Sequence, residues 1–275
     1  MTERTTDVRG IPVFYEEIGE GRPVVVVHGF SLEHRIVMPT YEPVFEKRSG
    51  YRRIYVDMPG HGRTPAPGWL ETEDQVLEVL TEFGDAVAPG ERLILIGQSW
   101  GAYHVHALAS QQADRIDGLM MAVPVARATH SLRDVPEATA VAGDPAVADE
   151  LSPDDREMFL LGATVQTPEL LARFMELGSM LLPDQAFVER LAPNYAFSFE
   201  TELTATIPAP ALIIAGRQDA IVGYRDQWAL LDHMPRASFV VLDRAGHFLE
   251  DEQQGLLRLL TAEWLDRVEE FSPRD

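Results

Sequence analysis

The stretch Leu93-Ile94-Leu95-Ile96-Gly97-Gln98-Ser99-Trp100-Gly101-Ala102-Tyr103-His104-Val105-His106-Ala107-Leu108-Ala109 decides how this chain is read. Its first four residues form a short apolar run of strand length. Its last eight read as a helix. Between them, Gly97-Gln98-Ser99-Trp100-Gly101 has the form G-x-S-x-G, and strand, tight turn, helix is the setting in which that form has meaning. Gly97 and Gly101 lack Cβ atoms, so strand and helix can approach closely across a sharp turn. The Ser99 hydroxyl is then lifted out of the sheet, above a helix N-terminus with unpaired N–H groups and partial positive charge. At ordinary Gly and Ser usage the pentapeptide arises by chance in roughly one chain of this size in ten. The weight therefore rests on its setting and on partners elsewhere in the chain.

Working outward, the same alternation repeats. Residues 8–18 have alternating apolar positions around Gly10 and predict an antiparallel hairpin at a sheet edge. Val24-Val25-Val26-Val27 is a continuous β-branched run, the mark of a strand buried on both faces. Residues 39–45 are placed in the first helix or its entry. Residues 53–57 form the next strand. Val76, Leu77, Leu80, Phe83 and Val87 have helical spacing, and Pro89-Gly90 stops that helix. Residues 116–123, 211–215 and 238–242 are further strands, with a helix expected over 224–233 and a closing amphipathic helix over 252–268. Strands alternating with helices describe a doubly wound α/β fold with a mostly parallel sheet.

From about residue 127 to 206 the strand pattern stops, and three segments have helical patterning: 152–163, 168–180 and 183–202. Ser152 is placed as an N-cap before Pro153, and Pro168 stands at the next helix start, where its missing N–H costs little. Residues 133–150 read as loop. The division is thus a core of residues 1–126 and 207–275 with an insertion at 127–206.

Composition narrows the class. The chain has 275 residues, no cysteine and a formal net charge of −21. A disulfide framework and Cys-based metal sites are excluded. The acidic balance argues against nucleic acid and anionic membranes, both of which attract basic patches. The N-terminal residues have no apolar segment of a secretory signal, and no apolar run approaches a membrane span. The expected location is the cytoplasm. His104 and His106 lie two apart and cannot share a helix face, which argues against a metal pair. One packed and one partly exposed imidazole is the expectation there. No metal or other cofactor is expected, the expected partner is a small-molecule substrate, and a homodimer is an arrangement the sequence allows.

The motifs Val24-Val25-Val26-Val27-His28-Gly29-Phe30, Asp57-Met58-Pro59-Gly60-His61-Gly62, Gly97-Gln98-Ser99-Trp100-Gly101, Gly216-Arg217-Gln218-Asp219 and Gly246-His247 occur in this order. In this the chain resembles the α/β-hydrolases, over about residues 11–125 and 208–270, and is similar to small bacterial serine hydrolases with a helical cap. The resemblance implies the nucleophile–acid–base order Ser99, Asp219, His247. It implies an oxyanion hole from the backbone N–H groups of Phe30 and Trp100. It makes residues 127–206 a cap over Ser99, with Met158, Phe159, Phe174, Met175, Met180, Tyr195 and Phe197 as pocket-lining or cap-core side chains. His28 and His61 are read as loop-ordering imidazoles.

The chemistry agrees with this order. A serine hydroxyl needs a base, an imidazole is suited to the task, and the imidazole needs an orienting carboxylate. Asp226 and Asp232 are rivals for the acid but are expected on a helix. Asp243 stands too near His247, and Glu250 and Asp251 are assigned to the next helix N-terminus. The expected activity is hydrolysis of small or medium carboxylic esters or lactones through an acyl-enzyme. Two other enzymatic readings share the triad. One is a proline iminopeptidase-like amide hydrolase, with Trp100 against an apolar ring and Asp154, Asp155 or Glu157 on the substrate amine. The other is a carbon–carbon bond hydrolase. A reading of a different class is a non-catalytic small-molecule binder on the same fold.

Overall fold

The computed structural model describes residues 1–180, 183–200 and 203–271, without the Met180 side chain. Eight strands form one sheet: β1 (Thr2–Val8), β2 (Ile11–Ile18), β3 (Arg22–Val27), β4 (Tyr51–Val56), β5 (Leu93–Gln98), β6 (Ile116–Ala122), β9 (Ala211–Gly216) and β10 (Ala237–Leu242). Their spatial order is β1-β2-β4-β3-β5-β6-β9-β10. The β1–β2 and β2–β4 pairs are antiparallel. All other pairs are parallel. The edge hairpin starts at Thr2, earlier than the alternating pattern indicated, because the outward side of β1 is exposed and carries no apolar signal.

The apolar runs sit where both faces are covered. Every residue of β5 and β9 is buried, as are Val24 to Val27 of β3. Each such aliphatic side chain contributes about 1.5–3 kcal/mol on leaving water. Helices α1 (His34–Phe45), α2 (Glu73–Val87), α3 (Trp100–Gln111) and α8 (Gln254–Phe271) pack on the sheet, with the one-turn α7 (Leu249–Glu252) before α8. Thr72 caps α2 through a reciprocal bond with Gln75, so the helix starts one residue after the cap. Helix α1 begins at His34, earlier than expected, and runs through Pro39 and Pro43. The proposed helix at 224–233 is a 3₁₀ helix, Asp226–His233.

Between β6 and β9 the chain leaves the large sheet. It forms α4 (Pro153–Gly162), α5 (Pro168–Met180) and α6 (Gln185–Leu191). Two differences from the sequence reading stand out. A two-residue parallel pair, β7 (Ala142–Gly143) with β8 (Val165–Gln166), occurs where no strand was expected. Such short pairing leaves no periodic trace. The third helix is only seven residues long and passes into a 3₁₀ turn at Ala192–Asn194. Pro193 lies in that turn and cannot donate to continue an α-helix. The Glu202 end of that expected helix lies outside the described residues. Ala148, Phe159, Ala163 and Leu170 form a small apolar cluster of their own, separate from the main core. No helix among the described residues is long and apolar enough to cross a membrane.

Candidate active site

Strand β5 delivers Ser99 directly into α3. Ser99 has φ 52° and ψ −113°, a conformation that L-residues adopt only under constraint. The constraint is visible in the flanking glycines. A Cβ on Gly97 would lie 2.6 Å from the backbone of Ala102, and one on Gly101 would lie 2.4 Å from the carbonyl oxygens of Val27 and His28. The Ser99 N–H donates to the Ala122 carbonyl at 2.9 Å, tying the turn to β6.

Two loops at the ends of parallel strands complete the cluster. Asp219 follows β9 and is fully buried. Its Oδ1 accepts the N–H groups of Ile221 and Val222, each at 2.9 Å. Its Oδ2 lies 2.8 Å from His247 Nδ1. His247 follows β10, and its Nε2 lies 3.0 Å from Ser99 Oγ. With Nδ1–H donating to the carboxylate, the lone pair of Nε2 faces the hydroxyl. The structure thus brings together Ser99, His247 and Asp219, which are up to 148 residues apart in the chain.

Phe30 lies in the loop after β3, and Trp100 is the first residue of α3. A first-turn helical N–H has no intrahelical acceptor. Among the described residues the Phe30 N–H also has no acceptor. The Trp100 side chain is fully buried, and its indole N–H donates to both oxygens of the buried Glu73 at 2.9 and 3.0 Å. The ring packs against those of Phe30, His61 and His104. It is a wall of the core behind the site, which removes the basis for setting it against a substrate ring.

The loop histidines are held by backbone. His28 Nδ1 donates to the Gly29 carbonyl at 2.7 Å, and Nε2 accepts the Met58 N–H at 3.0 Å. His61 bridges the Pro59 carbonyl and the Ser31 N–H in the same way. Burial lowers both, His61 to about 3, so each is a neutral imidazole at neutral pH. On α3, His104 and His106 are both buried, against the expectation of one partly exposed ring. The helix packs on the sheet and on α2, and Phe197 covers Tyr103 and His104, so every residue from Trp100 to Ala109 is buried. His104 Nε2 faces Glu73 at 3.0 Å. No group of three or more His, Cys, Asp or Glu side chains that could hold a metal ion occurs among the described residues.

The rival acids are accounted for. Asp226 accepts from Arg127 and from the Asp134 N–H, and Asp243 from Gln218. Asp232 is exposed. Glu250 is buried and accepts the Tyr41 hydroxyl at 3.1 Å, while Asp251 faces Arg173 at 3.4 Å.

A cavity of about 880 Å³ opens beside Phe30 and is lined by Ala128, Arg133, Val188, Tyr195 and Phe197 among others. Of the side chains expected over Ser99, Tyr195 and Phe197 line this cavity. Phe159 and Phe174 pack on each other in the smaller cluster, and Met158 and Met175 are about half exposed. The Met180 side chain lies outside the described residues. Asp154, Asp155 and Glu157 are exposed in the first turns of α4.

Two residues that sequence reasoning passed over tie the site together. Glu73 supports Trp100 from behind, and no sequence signal marked it, since the capping box beside it is made by Thr72 and Gln75. Glu252 accepts three backbone N–H groups around the His247 loop. Nothing in its sequence neighbourhood distinguishes it from the acids around it.

Residues 24–258 match the model of the alpha/beta hydrolase family. The pimeloyl-[acyl-carrier protein] methyl ester esterase of Legionella pneumophila is 23% identical over 244 residues, covering 86% of this chain and 91% of that protein. Among solved structures, an alpha/beta superfamily hydrolase from Oenococcus oeni PSU-1 superposes with a TM-score of 0.86 at 29% identity, covering 98% of this chain and all of that one. A thermophilic esterase from Thermogutta terrifontis superposes with a TM-score of 0.73 at 25% identity, over 97% and 98% of the two chains. The chain belongs to the alpha/beta hydrolase family.

Proposed function

We propose that this protein is a serine hydrolase of small or medium carboxylic esters or lactones, with Ser99 as nucleophile, His247 as general base and Asp219 as its orienting acid. The observation that carries this reading is the hydrogen-bonded line from Ser99 Oγ through His247 to Asp219, at 3.0 and 2.8 Å. The esterases among its relatives support the substrate class.

Ser99 Oγ attacks the ester carbonyl carbon while His247 Nε2 takes the hydroxyl proton. Asp219 stabilises the imidazolium that forms. The carbonyl oxygen becomes an oxyanion held by the Phe30 and Trp100 N–H groups; removing one such donor commonly costs about 2.7–4 kcal/mol of transition-state stabilisation. The C–O bond to the alcohol then breaks, and the alkoxide leaves with the proton from His247. Water, deprotonated by His247, attacks the acyl carbon; the C–O bond to Ser99 breaks, Ser99 Oγ takes back the proton from His247, and the acid leaves. Residues 127–206 act as a cap that sets which acyl and alcohol groups reach Ser99, through the cavity beside Phe30. A small-molecule substrate is the partner of this site.

Ser99→Ala is expected to lower kcat by about a millionfold with unchanged circular dichroism. A covalent fluorophosphonate adduct on Ser99 is expected in the wild type. Full turnover in the alanine variant, or tight small-molecule binding without labelling, would overturn the reading. An aryl ester is expected to be cleaved far faster than a proline arylamide, because the acids available for a substrate amine, Asp154, Asp155 and Glu157, are exposed on α4.

A further inference from the structure

One side chain bonds both the loop that carries His247 and residues 164 and 165. Glu252 Oε1 accepts the N–H groups of Thr164 and Val165 at 2.6 and 2.8 Å. Its Oε2 accepts the N–H of Gly246, the residue before His247, at 2.6 Å. A carboxylate has lone pairs enough for all three, and hydrogen bonds to a charged acceptor are about twice as strong as neutral ones.

The contacts around it point the same way. The His247 and Phe248 N–H groups both donate to the Gly162 carbonyl, at 2.8 and 3.2 Å. A Cβ on Gly246 would lie 2.4 Å from that carbonyl oxygen, so only glycine permits the approach. Phe248 packs on Phe174 of α5, and Arg173 faces Asp251. Residues 162–165 and 246–248 are therefore locked together, with the Glu252 carboxylate bonded to both. Burial lifts the Glu252 pKa above the ordinary glutamate range, against the opposing pull of the three N–H donors.

We infer that Glu252 is a positioning residue of the active site, holding the His247 imidazole between Ser99 and Asp219 by anchoring Gly246 to residues 164 and 165. It touches no reacting atom and acts through the backbone of its neighbours. Replacing it with the isosteric glutamine leaves one acceptor oxygen for three donors and turns an NH₂ group towards at least one N–H. The loop then shifts away from that repulsion, and His247 moves with it. A misplacement of about 1 Å at a reacting group can cost up to about a hundredfold in rate.

The inference rests on the catalytic role proposed for Ser99 and His247, and the test separates the two. Glu252→Gln is expected to lower kcat for an aryl ester by about ten- to a hundredfold with KM within about twofold of wild type, because binding groups lie elsewhere. A low-field proton resonance from His247 Nδ1–H is expected in the wild type from its 2.8 Å bond to Asp219; it is expected to shift or broaden in this variant, and Glu252→Asp is expected to restore part of both. A folded Glu252→Gln variant with wild-type kcat and an unmoved resonance would overturn the inference. Should that variant fail to fold, Val165→Pro removes a single donor and leaves the carboxylate. It is expected to lower kcat by a smaller factor in the same direction, and an unchanged kcat there would overturn the inference equally. Absence of fluorophosphonate labelling in the wild type would instead sink the catalytic reading. The imidazole resonance would still report whether Glu252 sets the ring.

Discussion

At the scale of the residue, the site depends on what cannot be added as much as on what is present. Ser99 holds φ 52° because β5 and α3 meet at a distance that only Gly97 and Gly101 allow. Gly101→Ala places a methyl 2.4 Å from two carbonyl oxygens of the loop that leads to Phe30. Those atoms are backbone and yield only if β3 or α3 moves. The variant is expected to lose about 1–3 kcal/mol of stability, read as a drop in the thermal midpoint, together with most of any hydrolase activity. A midpoint and activity equal to wild type would contradict the account of the turn. The glycine spacing made this turn legible from the sequence. The neutral state of His28 and His61 was not, since it arises from burial and from backbone partners 30 residues away.

At the scale of the element, α2 shows how a helix start can serve two purposes. Thr72 and Gln75 form the reciprocal cap that the sequence could display. Glu73, one residue on, points inward and is fully buried against the Trp100 indole and His104. The two neighbours are expected to differ sharply in urea denaturation. Thr72→Ala should cost about 1 kcal/mol, the ordinary value of a lost N-cap. Glu73→Ala should cost about 1–3 kcal/mol more than that, because it leaves the buried Trp100 indole N–H without its acceptor. Equal losses would show that Glu73 is not the buried anchor that the geometry describes. Helix α6 makes the converse point. Apolar periodicity over 183–202 predicted a long helix, but Pro193 and the packing of Phe197 on Tyr103 end it early.

At the scale of the whole molecule, buried ionisable groups set how stability varies with pH. Burial, and then the charge of Asp251, raise Glu250 to about 8. Its ordinary value is about 4.5, so the folded state binds the extra proton and stability falls as pH rises towards 8. At about 1.36 kcal/mol per unit, that loss approaches about 5 kcal/mol. Burial lowers His61 to about 3 and His106 to about 4, from an ordinary 6.5. The unfolded chain then binds more protons, and stability falls as pH drops below about 6.5. Between about 4.5 and 6.5 the three lowered histidines, His28 among them, at least balance the raised carboxylates Glu250, Asp251 and Glu252, so stability is expected to peak near pH 6.5. Chemical denaturation across pH 5–9 checks this. Glu250→Gln should flatten the decline from pH 6.5 to 8, and a decline of unchanged slope would show that another group causes it.

The sequence by itself determined the sheet and the points where chemistry leaves it. Buried parallel strands must be continuous apolar runs, and a turn as sharp as that at Ser99 must be glycine-flanked, so both are written locally. Asp219 and His247 could be proposed because each closes a short loop after such a run, in the order of the resembled family. The tertiary structure alone decided which carboxylates are structural. Glu73 and Glu252 look like any of the 44 acidic residues of this chain, and their roles exist only because distant backbone N–H groups and an indole converge on them. Partners that come from elsewhere in the chain leave no mark beside the residue that receives them.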